Sequence, residues 1–154
     1  KKKKRKNKMK LKYRKGIFFV TYYLTKSNEP VYLIQKRKLH WKGWEFPKAG
    51  VDKFETKRHA LKRELKEETG LTPIKIINHK TKGKYRYPKE LDDRKGIGGQ
   101  TYTLFSVQVK KTKVKIDKIE HSSYDWLAFD KAVKKITHSD QKKCLRIVNK
   151  FLTQ

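Results

Sequence analysis

The chain has 154 residues, with 43 Lys plus Arg against 15 Asp plus Glu and a formal net charge of +28. That is the length of one ordinary domain, and clustered Val, Ile, Leu, Phe and Tyr exclude wholesale disorder. A lone cysteine, Cys144, excludes an intrachain disulfide and a Cys-based zinc cluster, and no apolar run approaches the 18 residues of a membrane helix. Eleven basic residues and no acid stand in residues 1–15, and subtracting them from +28 leaves +17 over the rest. The charge is therefore not only a tail. It suits polyanionic partners such as nucleic acid, nucleotides or phosphorylated metabolites, or else an anionic surface. No signal peptide is apparent, so a cytoplasmic location is expected.

In chain order, residues 1–12 form a like-charge arm expected to be disordered, ahead of a single domain over 13–154. "GIFFVTYYLT" (16–25) and "PVYLIQKRK" (30–38) read as strands of a hairpin joined at "KSNEP". "HWKGWEFPKAG" (40–50) reads as a loop. A helix starts after Thr56, a good N-cap, and stops at Gly70, with Pro73 beyond it. "IKIINHK" (74–80) is a strand, 84–100 a long polar loop suited to binding, and "TYTLFSVQV" (101–109) an alternating strand. A short apolar segment over 124–129 precedes a helical turn or two over 130–136. An amphipathic helix follows over 139–152, with Cys144, Ile147, Val148, Phe151 and Leu152 on one face. This order predicts a mixed sheet with helices on its faces.

The informative stretch is "FETKRHALKRELKEETGL" (54–71). On a helix, Glu64, Glu67 and Glu68 stand at i, i+3 and i+4 on one face, while Leu61 and Leu65 point to the core. Three like charges raise one another's pKa unless a cation sits between them. Magnesium held by a few carboxylates keeps open positions for substrate phosphates. A solvated face is the competing account, since Lys57, Arg58, Lys62, Arg63 and Lys66 could pair with these acids. Spacing alone does not choose between the two.

The wider pattern does. Glu55, seven residues, then "REL-K-EE-T-GL" resembles the Nudix box, with eight of its nine fixed positions met. The departure is Ala49, where the box has Gly and the backbone is expected to need positive φ. "WEFPKAG", "EHSSYDW" (120–126) and "YRYP" followed by "GQ" are similar to further segments of the asymmetrical diadenosine tetraphosphate hydrolases and RNA 5′-pyrophosphohydrolases. The likeness covers roughly residues 15–152. It implies an α+β fold, an α/β/α sandwich with a mixed sheet, and metal-dependent cleavage of a pyrophosphate bond with Mg2+, for which Mn2+ can substitute. It further implies that Glu64, Glu67, Glu68, Glu120 and the Ala49 carbonyl hold metal. Glu64 or Glu67 doubles as general base, and Arg63 orients the cluster by pairing with Glu55.

Lys48, Arg37, Arg86 and His121 are the candidate phosphate contacts. Tyr85, Tyr87 and Tyr124 are the candidates to stack on a base. Trp126 reads as core, and His40, His59, His79 and His138 receive no role. The expected substrate is a nucleotide, first a dinucleoside polyphosphate such as diadenosine tetraphosphate, split to ATP and AMP. RNA 5′-pyrophosphate removal, with RNA held by the basic surface, is the alternative. The third reading is a Nudix-fold binding module without catalysis. No membrane partner is expected.

Overall fold

The computed structural model describes residues 12–154, so the expected arm falls almost wholly outside the described residues. Eight strands form one mixed sheet. They are β1 (Lys12–Arg14), β2 (Gly16–Leu24), β3 (Pro30–Arg37), β4 (Gly43–Glu45), β5 (Lys48–Gly50), β6 (Pro73–Arg86), β7 (Ile97–Val109) and β8 (His121–Ala128). Three helices complete the domain: α1 (Lys57–Thr69), α2 (Phe129–Lys135) and α3 (Ser139–Leu152). The path β1-β7-β2-β3-β4 runs through the sheet, with β5 on β2, β6 on β7 and β8 on β3. Parallel pairing joins β7 to β1 and β2, and the remaining pairs are antiparallel.

Strand parity sends alternate side chains to two cores. Phe18, Val20, Tyr32 and Ile34 face Ala132 of α2, Ile136 at its C-terminal end, and Leu145 and Val148 of α3. Ile17, Phe19, Leu33 and Phe105 face Ala60, Leu61 and Leu65 of α1. Helices thus cover both faces of the sheet, an α/β/α sandwich. Full burial of Leu61 and Leu65 stabilises the docking of α1 by roughly 1.5–3 kcal/mol each. That docking leaves the opposite side of α1 to the glutamates.

The ends of α1 follow the sequence signals. Thr56 Oγ1 accepts from His59 N at 3.1 Å, and Gly70 takes the left-handed conformation at φ 74°. Elsewhere the expected boundaries are corrected. Residues 40–50 are not a plain loop, because β4 pairs with β3 and β5 with β2. The expected strand 74–80 extends to Arg86 and the next begins at Ile97, leaving a connection of only ten residues, 87–96. β6 pairs only with β7, so it is an edge strand, and its Lys75, Lys80, Lys82 and Lys84 give a strand the composition of a loop.

Phe54, just before α1, adopts φ 70° and is 96 % exposed. A left-handed conformation costs an L-residue with a Cβ roughly 1–2 kcal/mol, and nothing is gained here by burial. Phe54→Gly is expected to stabilise the domain by about 1 kcal/mol after the entropy of glycine is counted. That corresponds to a Tm rise of roughly 2–4 °C at this chain length. An unchanged or lower Tm in a thermal melt would contradict the strain.

Candidate active site

α1 presents its carboxylates beside β8 and the loop that precedes it. Arg63 anchors the group. Its Nε donates to Glu55 Oε2 at 2.7 Å and its Nη2 to Glu55 Oε1 at 2.8 Å, a two-pronged pairing. Its Nη1 donates to Glu64 Oε1 at 2.6 Å and lies 3.6 Å from Glu67. Glu55 also accepts from the Asp52 amide at 3.0 Å. The Arg63 hydrogen bonds, then that amide, hold the Glu55 carboxyl below the usual carboxylate range. Glu55 in turn raises the Arg63 pKa.

Glu68 is different. It is 3 % exposed, its Oε2 has no hydrogen-bond partner among the described residues, and Glu120 and Glu64 are its charged neighbours. Burial, then the charges of Glu120 and Glu64, push its pKa well above the ordinary carboxylate value. Glu64 is also pushed up, by burial first and then by Glu67 and Glu120, against the pull of Arg63. Glu67 is the solvent-side member, its side chain 59 % exposed. Among the described residues no three acidic, histidine or cysteine side chains already surround a point at ligating distance, and Glu64 is drawn onto Arg63. The donor set nevertheless suits a hard divalent cation: all oxygen, repelling one another, with one buried oxygen lacking a partner.

Ala49 removes one concern. It sits in β5 without positive φ, so the expectation of a left-handed backbone at this position is corrected. Its carbonyl accepts from Gln100 Nε2 at 3.3 Å and stands opposite Ile17 in the β2–β5 ladder.

The second part of the site was not foreseen. Glu45, on β4, is fully buried beneath the sheet edge among three cationic or potentially cationic groups. Arg37 Nη1 lies 3.2 Å away, His121 Nε2 2.9 Å and Lys48 Nζ 3.3 Å. Burial alone would raise the Glu45 carboxyl, but Lys48, His121 and Arg37 outweigh it and lower the pKa to about 2. Of the expected phosphate contacts, His121 is 1 % exposed, bound to Glu45 and absent from the cavity lining. Arg37 is 5 % exposed and also pairs with Glu45, donates to Leu39 O at 2.8 Å and lines the cavity. Lys48 and the exposed Arg86 remain placed to meet an anion. Burial would lower the Lys48 pKa, but Glu45 and Tyr85 more than reverse it.

Lys48 donates to the Tyr85 hydroxyl at 3.4 Å and leads into a cavity of about 220 Å3. Tyr85 and Tyr87 line this cavity, edge-on to each other at 6.0 Å. Trp41 and Arg94 join them; Arg94 donates to the Tyr87 hydroxyl at 2.9 Å and sits over its ring. Tyr124 is not part of the cavity. It packs against the α1-side core, because its position on β8 turns it to the other face of the sheet. His40 and His138, assigned no role, do line the cavity. Trp41 of "HWKGW" was the available signal for the missed aromatic wall, while Trp44 packs on the α2 and α3 side.

The parts are joined by contacts. Arg37 bridges Glu45 to Glu120 at 3.8 Å, and Glu120 faces Glu68; on the other side Lys48 bridges Glu45 to Tyr85. An acidic face thus meets an aromatic cavity through a buried ion cluster.

Comparison with known proteins agrees with this arrangement. The sequence profile described as NUDIX domain matches residues 17–146. A protein of Marinomonas sp. named RNA pyrophosphohydrolase is 34% identical over 113 residues, 66% of this chain and 70% of that protein. One of Sulfurovum sp. with the same name is 28% identical over 117 residues, covering 72% and 74%. Among solved structures, the C. elegans Ap4A hydrolase binary complex superposes with a TM-score of 0.68 at 23% identity, over 91% of this chain and 98% of that one. The E. coli dihydroneopterin triphosphate pyrophosphohydrolase does so at 0.71 and 20% identity, over 90% and 99%. Box, sandwich and profile coincide over the same residues, and the chain belongs to the Nudix hydrolase family, as a pyrophosphohydrolase.

Proposed function

We propose that the chain removes pyrophosphate from the 5′-triphosphate end of RNA. The observation that carries hydrolysis is Glu68, a buried carboxylate with an unpartnered oxygen facing Glu64 and Glu120. The relatives named RNA pyrophosphohydrolase and the net charge of +28 support RNA as substrate. So does the cavity. At about 220 Å3 it is below the 300–1,000 Å3 that a drug-sized ligand occupies, which suits one terminal base with the rest of the substrate outside.

Glu64, Glu68 and Glu120 would hold a divalent ion, with Glu67 on the solvent side. When bound, it supplies positive charge to the phosphate oxygens and acidifies the attacking water. Water oxygen forms a bond to phosphorus, and the bridging oxygen leaves with pyrophosphate. Glu64 takes the water proton, being sheltered beside Glu68 yet held in place by Arg63. Arg63 and Glu55 act as positioning residues. Lys48 and Arg86 meet the phosphates, and Tyr85 and Tyr87 stack on the terminal base.

A dinucleoside polyphosphate is the second reading, and the "EHSSYDW" segment favours it. In the fold, though, His121 is bound to Glu45 and Trp126 packs edge-on against Tyr23 at 5.0 Å. Those two residues serve packing and so speak weakly to what is cleaved. The non-catalytic reading rested on Ala49, whose extended backbone removes its support.

The test is incubation with Mg2+ and either triphosphorylated RNA, diadenosine tetraphosphate or nucleoside triphosphates. Pyrophosphate release with monophosphorylated RNA as the second product is expected. ATP plus AMP from the dinucleotide alone would transfer the assignment to the second reading.

A further inference from the structure

A basic groove lies on the α1 face, away from the aromatic cavity. Lys15, Lys57, Lys82 and Lys84 line a groove together with Thr101 and Thr103, and no acidic side chain lines it among the described residues. None of the four lysines makes an ion pair among the described residues. Lys82 and Lys84 point the same way from β6, about 6.8 Å apart along the strand. Lys57 is half-buried, and its ammonium is destabilised by burial and then by Lys82 and Lys15. Such mutual repulsion is relieved by an anion, not by solvent alone.

The groove is aligned with the reacting end. Lys57 and Glu64 are seven residues apart, so they share one face of α1 at a separation of about 10 Å along its axis. Gly16, in the groove wall, pairs with Gly50, and the Lys15 carbonyl accepts from Val51 N at 2.9 Å. The groove therefore borders the loop that carries Glu55. A phosphodiester strand leaving Glu64 along this face of α1 would pass Lys57 first.

We propose that this lysine groove binds the phosphodiester backbone of single-stranded RNA downstream of the 5′ end being processed. The inference rests on the RNA reading above and deepens it. A one-sided lysine groove beside the acidic face suits an extended strand. The Thr103 hydroxyl on its floor, from β7, can donate to the same phosphates, while that of Thr101 donates to Arg14 O at 3.4 Å.

The test reads binding, not turnover. A 5′-monophosphorylated RNA of about ten nucleotides has no anhydride to cleave, so a failure of the hydrolysis assignment leaves this measurement standing. Its Kd is followed by fluorescence anisotropy over a salt series. Each phosphate contact on a single strand adds about 0.7 to the slope of log K against log salt. The Lys82→Ala/Lys84→Ala protein is expected to lose about 1.4 from that slope. Both residues are exposed, so the variant should fold, which its Tm verifies. The comparison pair is Lys131→Ala/Lys134→Ala on α2, at the opposite face, where little change is expected. Equal shifts in the two variants would mean diffuse attraction and overturn the site. An unchanged slope in the groove variant, or no RNA binding by the unmodified chain, would overturn it as well.

Discussion

Glu68→Gln is expected to lower kcat/KM on triphosphorylated RNA by on the order of 103-fold or more, while the fold survives. Glutamine keeps the volume and shape of a side chain that is only 3 % exposed, so no cavity opens behind α1. What it removes is the negative charge, at a buried carboxylate whose Oε2 has no hydrogen-bond partner among the described residues. In the metal-free protein that charge is unfavourable, since burial and the neighbouring Glu120 and Glu64 all oppose it. The variant should therefore melt at or above the Tm of the unmodified chain in a chelating buffer. Added Mg2+ should then stabilise the unmodified chain and no longer stabilise the variant, because a ligand stabilises only the state that binds it. The magnitude follows from losing both a metal donor and the electrostatic setting of the attacking water, contributions of several kcal/mol to a transition state. A variant that keeps full activity together with its Mg2+-dependent Tm shift would remove Glu68 from the site.

The legible part of this molecule is the part whose chemistry is local. Metal chemistry on a helix needs carboxylates at helical spacing, so Glu64, Glu67 and Glu68 announce themselves, and the Thr56 and Gly70 caps bound the helix that carries them. The β2–β3 hairpin and α3 follow from periodicity in the same way. The Glu45 cluster depends instead on register between three strands, with Gln35 opposite both Glu45 and Tyr124, and Arg37 opposite His121. Glu45 lies only eight residues beyond Arg37, but no helical or strand period pairs the two, so Arg37 reads as a free cation suited to phosphate. Tyr124 was misplaced for a related reason. Its face is set by strand parity, and β8 begins three residues earlier than the apolar run that marked it. β6 was shortened because an edge strand that carries lysine at its exposed positions is hard to tell from a polar loop.

Glu45→Gln is expected to destabilise the domain by about 3 kcal/mol near neutral pH, a larger structural effect than any change on the acidic face of α1. The reason is the asymmetry of buried ion clusters: removing one partner leaves the others charged and unsolvated, at a cost of roughly 3–5 kcal/mol. Here Arg37 and Lys48 would lose their shared counter-ion, and Arg37 retains only Glu120 at 3.8 Å. The depressed pKa of Glu45 points to the same size. The folded Glu45 pKa, at about 2, lies below its ordinary value of 4.5, a difference worth about 3 kcal/mol. Because the folded value is depressed, this stabilisation is complete above pH 4.5 and is lost as pH falls toward 2. Denaturant melts should therefore show the two proteins separated by about 3 kcal/mol at pH 7 and converging as the pH drops through that window. At this length the gap amounts to a Tm difference of roughly 6–12 °C at neutral pH. Function should follow, since Lys48 is held between Glu45 and the Tyr85 hydroxyl at the mouth of the aromatic cavity. Freed from Glu45, its ammonium no longer has a fixed position for phosphate, and KM should rise more than kcat falls. A Gln variant with an unchanged Tm and a parallel acid titration would show that the cluster contributes no net stability, and that Lys48 is oriented by Tyr85 alone.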